Sequence, residues 1–148
     1  MLSSRIATGV RVGLIAAAAT SGVLIGLGAR HEAATIPFLL TGRSVWASFA
    51  GALSSPATAI VLGLLIHTAW MIAWGVGFSV VALSLQGPPL LLAAAIFSLV
   101  AGILSRTVMP RALGAASLAG LSWPQLAFLL ALMALSLAAG MRVARETA

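Results

Sequence analysis

Apolar residues dominate this chain in four long runs, each closed by an arginine or by a turn. The first is Val12–Ala29, bounded by Arg11 and Arg30. The second covers about Pro56–Leu85 and ends at Gln86-Gly87-Pro88-Pro89. The third covers about Leu90–Leu104, closed by Ser105 and Arg106, and the fourth about Pro124–Met141, closed by Arg142. A helix crosses a bilayer with roughly 20 apolar residues. Backbone polar groups in hydrocarbon must be satisfied within their own segment, so each run predicts a spanning helix. The start of the chain imitates a secretion signal, with Arg5 and Arg11, an apolar stretch and then Ala19-Thr20-Ser21. The apolar run continues to Ala29, which favours a span over a cleaved leader.

The pattern repeats. Gly13–Arg30 aligns with Pro89–Arg106 at an offset of 76, and Arg43–Leu64 aligns with Arg111–Leu132 at an offset of 68. The first match holds 6 identities in 18 positions and the second 8 in 22; the shared Arg, Ser and Pro carry most of the weight. In both halves a helix ends at an Arg (Arg30, Arg106), a short segment starts at an Arg (Arg43, Arg111), and a helix opens at Leu-Ser-X-Pro. Ser caps the free N–H groups of a helix start, and Pro is tolerated in the first turn. In Arg43–Leu53 the residues Val45, Trp46, Phe49, Ala52 and Leu53 fall at helical spacing, which predicts a short interfacial helix with Trp46 at headgroup level. The expected fold is an all-α membrane bundle of four spans. It is built as two tandem hairpins, about 10–86 and 89–142, in one domain with short interfacial segments. The two hairpins enter from the same side, so a pseudo-twofold axis along the membrane normal is expected.

Composition sharpens this. The 148 residues are 61% hydrophobic and 7% charged, against about a quarter charged in a soluble domain. Lys, Asp, Asn, Tyr and Cys do not occur, which excludes disulfides, thiolate metal sites and thiol redox chemistry. The net charge of +6 rests on eight arginines beside the apolar runs. With no basic run, anionic lipid headgroups are the expected partners and nucleic acid is not. Arg5, Arg11, Arg142 and Arg145 fall on one side; Arg30, Arg43, Arg106 and Arg111 fall on the other. Four against four leaves the orientation undecided. A multi-pass protein of a bacterial inner membrane is the expected setting.

Close packing has its material in the small-xxx-small pairs Gly9/Gly13, Gly22/Gly26, Ala59/Gly63, Ser98/Gly102 and Ser136/Gly140.

Candidate chemistry is sparse. His67 is the one ionisable residue deep in a span, roughly 16 Å from Pro56 at 1.5 Å per residue. Trp70, Met71, Trp74 and Phe78 share its face at i+3, i+4, i+7 and i+11. Two readings stand. His67 is an axial ligand to a haem or chlorophyll-type macrocycle lined by Trp70 and Trp74. Alternatively, it is a neutral ring bonded to a Ser, Thr or carbonyl of a neighbouring helix, with the tryptophans as packing. The matched Arg30, Arg43, Arg106 and Arg111 are candidates for lipid phosphate or a partner's carboxylate, or they snorkel at the interface. The adjacent pair His31-Glu32 is short of the three or four ligands a metal needs.

No Ser–His–Asp set and no Lys-bearing phosphate loop is present, and both glutamates lie outside the spans. The leading expectation is a non-catalytic accessory subunit that packs against a larger membrane complex or against itself. A cofactor-binding electron-transfer or light-harvesting subunit is the first alternative, and a small dimeric channel or carrier the second.

Overall fold

The structure is a computed structural model that describes residues 2–30, 34–50, 55–107 and 121–146. It is all helical, with five helices among the described residues: α1 (Leu2–Ala29), α2 (Ile36–Ala50), α3 (Pro56–Ala82), α4 (Gly87–Thr107) and α5 (Trp123–Glu146). Four of them, all but α2, are long and apolar enough to cross a membrane. At 1.5 Å per residue they run from about 31 to 42 Å, against a hydrocarbon core of about 30 Å. The spans are slightly longer than the apolar runs. Helix α1 passes through Arg11 rather than starting after it, because Arg is a good helix former and its long stem carries the charge outward. The predicted second halves of the hairpins open where expected. Ser55 caps α3 and accepts from Thr58 N at 3.4 Å, with Pro56 in the first turn. At α5, Gln125 Oε1 accepts from Ser122 N at 2.8 Å and from Ser122 Oγ at 3.0 Å, the side-chain-to-backbone half of a capping box.

Helix α1 sits in the middle, packed on α3 and α5; α4 lies on α5 and α2 on α3. The sharpest packing is at glycine. A Cβ on Gly9, Gly13 or Gly75 would run into backbone of the facing helix, so α1 and α3 cross with their backbones in contact. Gly42 and Gly63 do the same for α2 and α3, against Ala59 and Phe38. Lipid tails are as apolar as Leu, so close backbone approach is what holds such helices together. Gly102 meets Leu130 across α4/α5, and Gly140 meets Val12 across α5/α1. Gly22 and Gly26 meet nothing within 4 Å; this pair faces outward from α1.

The face of α3 turned to α4 is different. Trp74 packs edge-on against Trp70 (centroids 5.7 Å, 85°) and Phe97 (5.2 Å, 85°), and Phe78 lies 5.6 Å from Phe97. These rings wedge the two helices apart, and α3 and α4 meet only loosely. A pseudo-twofold arrangement would make the α1/α5 and α3/α4 contacts alike; here the first is close and the second is loose.

The short helix predicted from Arg43 starts earlier, at Ile36. At 15 residues, about 22 Å, it is too short to span. Phe38 packs on Gly63 and Gly42 on Ala59, so α2 runs antiparallel along the first half of α3. Its start lies beside His67, with the Phe38 and His67 rings 5.8 Å apart at 73°. The corresponding segment of the second half, including Arg111, lies outside the described residues.

Candidate functional site

Three physical features bring a site together at mid-depth. Glycine contacts clamp α3 to α1 and α2. The aromatic wedge holds α4 away. His67 then sits where the helices diverge. The result is a cavity of about 90 Å³ to which all five helices contribute. Thr20 and Leu24 come from α1, Phe38 and Thr41 from α2, His67, Trp70 and Met71 from α3, Ala101 and Ser105 from α4, and Leu129 and Met133 from α5. The lining is mostly apolar, with a few convergent hydrogen-bonding groups.

Two cross-helix hydrogen bonds frame the cavity. His67 Nε2 lies 2.9 Å from Thr20 Oγ1. A threonine hydroxyl has one proton, and Thr20 gives it to the carbonyl of Ala16 at 2.7 Å. With that proton on Ala16 O, Nε2 carries the imidazole proton and donates it to Thr20, and the Ala17 carbonyl also lies within reach of the ring. In this assigned tautomer Nδ1 is a lone-pair acceptor. On the other wall, Trp70 Nε1 donates to Ser105 Oγ at 3.0 Å, tying α3 to α4. Thr41 donates to Pro37 O at 2.9 Å within α2.

Of the three residues singled out around a possible cofactor, His67 and Trp70 line one cavity and Trp74 does not. Trp74 lies one turn further along, enclosed by Trp70 and Phe97, with its Nε1 buried and without a partner among the described residues. The three aromatic side chains stand edge-to-face, so they present no flat slot. A cavity of about 90 Å³ is well below the roughly 300–1,000 Å³ of pockets for drug-sized ligands, and a haem or chlorophyll ring does not fit it.

The arginines are dispersed. Arg30 lies exposed in the turn after α1, and Arg43 lies exposed on α2. Arg106, in the last turn of α4, places its guanidinium 4.5 Å over the Trp123 ring, a cation–π contact at the start of α5. Arg111, His31 and Glu32 lie outside the described residues.

Sequence reasoning missed Thr20, Thr41 and Ser105. A polar side chain inside an apolar run was the available signal, but Ser and Thr occur in every span and spacing alone does not pair them.

A scan of family models, a search of curated proteins and a search of solved structures each find no match for this chain.

Proposed function

We propose that this small membrane protein is a binding protein whose ligand sits in the cavity beside His67. One observation carries the reading: an imidazole deep in a span lines a partly enclosed, mostly apolar cavity and is held there by its bond to Thr20. Ionisable residues at this depth mark functional sites by default. The cavity equals the liquid volume of about three water molecules. A lone-pair acceptor in an apolar lining selects a small, uncharged molecule with one hydrogen-bond donor, such as a short alcohol or amide. The test is the ¹⁵N resonance of His67 Nδ1 in the reconstituted chain, titrated with ethanol and with formamide. A saturable shift is expected, and Ala101→Leu, which fills the cavity and leaves Thr20 and His67 in place, abolishes it. A shift that rises linearly, or that survives Ala101→Leu, sinks the reading.

A second reading, a non-catalytic accessory subunit packed against another membrane protein, is favoured by a different observation. Ala18, Gly22 and Gly26 form an exposed small-residue line on α1. The other four small-xxx-small pairs named above each lie in a seam within the chain. Under this reading, Gly22→Leu with Gly26→Leu shifts the native-membrane species to the mass of the single chain. Unchanged mass counts against it.

A further inference from the structure

We infer that the membrane face carrying the α3–α4 turn holds a binding site for the phosphate of an anionic lipid headgroup. The residues come from four helix ends that packing gathers at one face. Ser4, Arg5 and Thr8 start α1, Gln86 closes the turn, and Arg142 and Arg145 lie at the end of α5. They border two adjoining hollows of about 410 and 480 Å³, with Gln86 and Arg145 in the walls of both.

Arg145 is held in place. Its Nη2 donates to Ala82 O at 2.8 Å, which also accepts from Leu85 N, and to Leu83 O at 3.0 Å, both at the end of α3. That uses one nitrogen of a guanidinium with five N–H donors. The Nη1 and Nε groups make no hydrogen bond among the described residues. A fixed, planar fork with donors left over suits a phosphate better than a mobile ammonium does. Arg5 lies across the same hollow and Arg142 borders the next, against one described carboxylate, Glu146.

The surroundings select a lipid over a free anion. Leu83 and Met141 line the first hollow and Leu90 the second, so the charged rim sits directly on an apolar wall. Val80 and Val81, in the last turn of α3, are 51% and 60% exposed, so the helix beside the rim presents apolar surface outward. The arginines matched across the repeat (Arg30, Arg43, Arg106) are separate from this site.

The experiment counts lipid retained on the purified full chain by native mass spectrometry. Phosphatidylglycerol and phosphatidylcholine are supplied in equal amounts, and inorganic phosphate is tested alone and as competitor. The expected result is one phosphatidylglycerol retained at least fivefold over phosphatidylcholine, undisturbed by millimolar phosphate. Arg5→Gln with Arg142→Gln, which leaves the Arg145 contacts to α3 intact, reduces the retention at least fivefold. Arg145→Gln does the same, if it folds. Equal retention of the two lipids, or full retention by the Arg5→Gln/Arg142→Gln chain, overturns the inference. Inorganic phosphate that binds alone and displaces the lipid also overturns it, by making the site one for a free anion.

Discussion

Thr20 Oγ1 and His67 Nε2 stand 2.9 Å apart across the α1/α3 seam, and the threonine proton is already committed to Ala16. With the proton so placed, the bond runs from imidazole N–H to hydroxyl oxygen. It is also the kind of contact that holds spanning helices in register. Hydrogen bonds between spanning helices average about 0.6 kcal/mol in double-mutant cycles and reach about 1.7 kcal/mol. Thr20→Val, which keeps the shape, and His67→Phe should thus couple by about 0.5–2 kcal/mol. Unfolding equilibria of the two single variants and the double variant measure this. Strictly additive losses would show that the two side chains do not share a bond.

The glycines divide by what faces them. Gly13→Ala or Gly75→Ala pushes a methyl group into backbone of the partner helix, which must move away along its length. A loss of about 1–3 kcal/mol or more is expected, the range of overpacked sites. Gly26→Ala adds its methyl in open space, and the helix propensity of Ala makes the change neutral or stabilising by up to about 1 kcal/mol. Thermal unfolding of the three variants in one detergent orders them.

Trp70 and Trp74 are both half-buried, yet their indole N–H groups fare differently. Trp70 donates to Ser105, whereas the Trp74 N–H is buried with no partner among the described residues. Replacing either by Phe removes ring area. Trp70→Phe also strands the hydroxyl of Ser105, while Trp74→Phe removes a group that was costly to bury. Trp70→Phe should be the more destabilising by about 1 kcal/mol. Chemical unfolding of the pair under one condition reads the difference, and equal losses would contradict the assignment.

The α5 start gives a local test. Ser122→Ala removes the hydroxyl that donates to Gln125 Oε1 and should cost about 1 kcal/mol. Gln125→Ala should cost a similar amount, and the double variant less than the sum, since the two side chains bond each other. Hydrogen exchange at the first turn of α5 reports it without disturbing the bundle core.

How much was legible in the chain follows from which physics is local. Four apolar runs predicted four spans, since a helix in hydrocarbon is dictated by its own residues. The Leu-Ser-X-Pro pattern with Ser54, Pro56, Ser122 and Pro124 marked two helix starts, because capping is a contact within one turn; at α3 the capping side chain is Ser55, at the X position. Arg11 misled by marking a boundary that the helix passes through: charge near a membrane edge limits an apolar run, not a helix. The Trp70–Trp74 face was visible as a periodicity, but a periodicity does not say how rings tilt. Stacked side by side they would flank a macrocycle; turned edge-on, as they are, they wedge α3 from α4.

The sequence by itself determined that this chain is helical, membrane-like in composition, and poor in chemistry except at His67. Tertiary structure alone decided what His67 does with its two nitrogens. Thr20 lies 47 residues away in sequence, and only the close α1/α3 crossing at Gly9, Gly13 and Gly75 brings it within 2.9 Å. The same holds for Arg5 and Arg145, which share a hollow only because α1 and α5 pack antiparallel. Backbone hydrogen bonding in lipid is settled residue by residue along the chain. Pairing across helices is settled by which small residues let two backbones meet, and that is a property of the packed bundle.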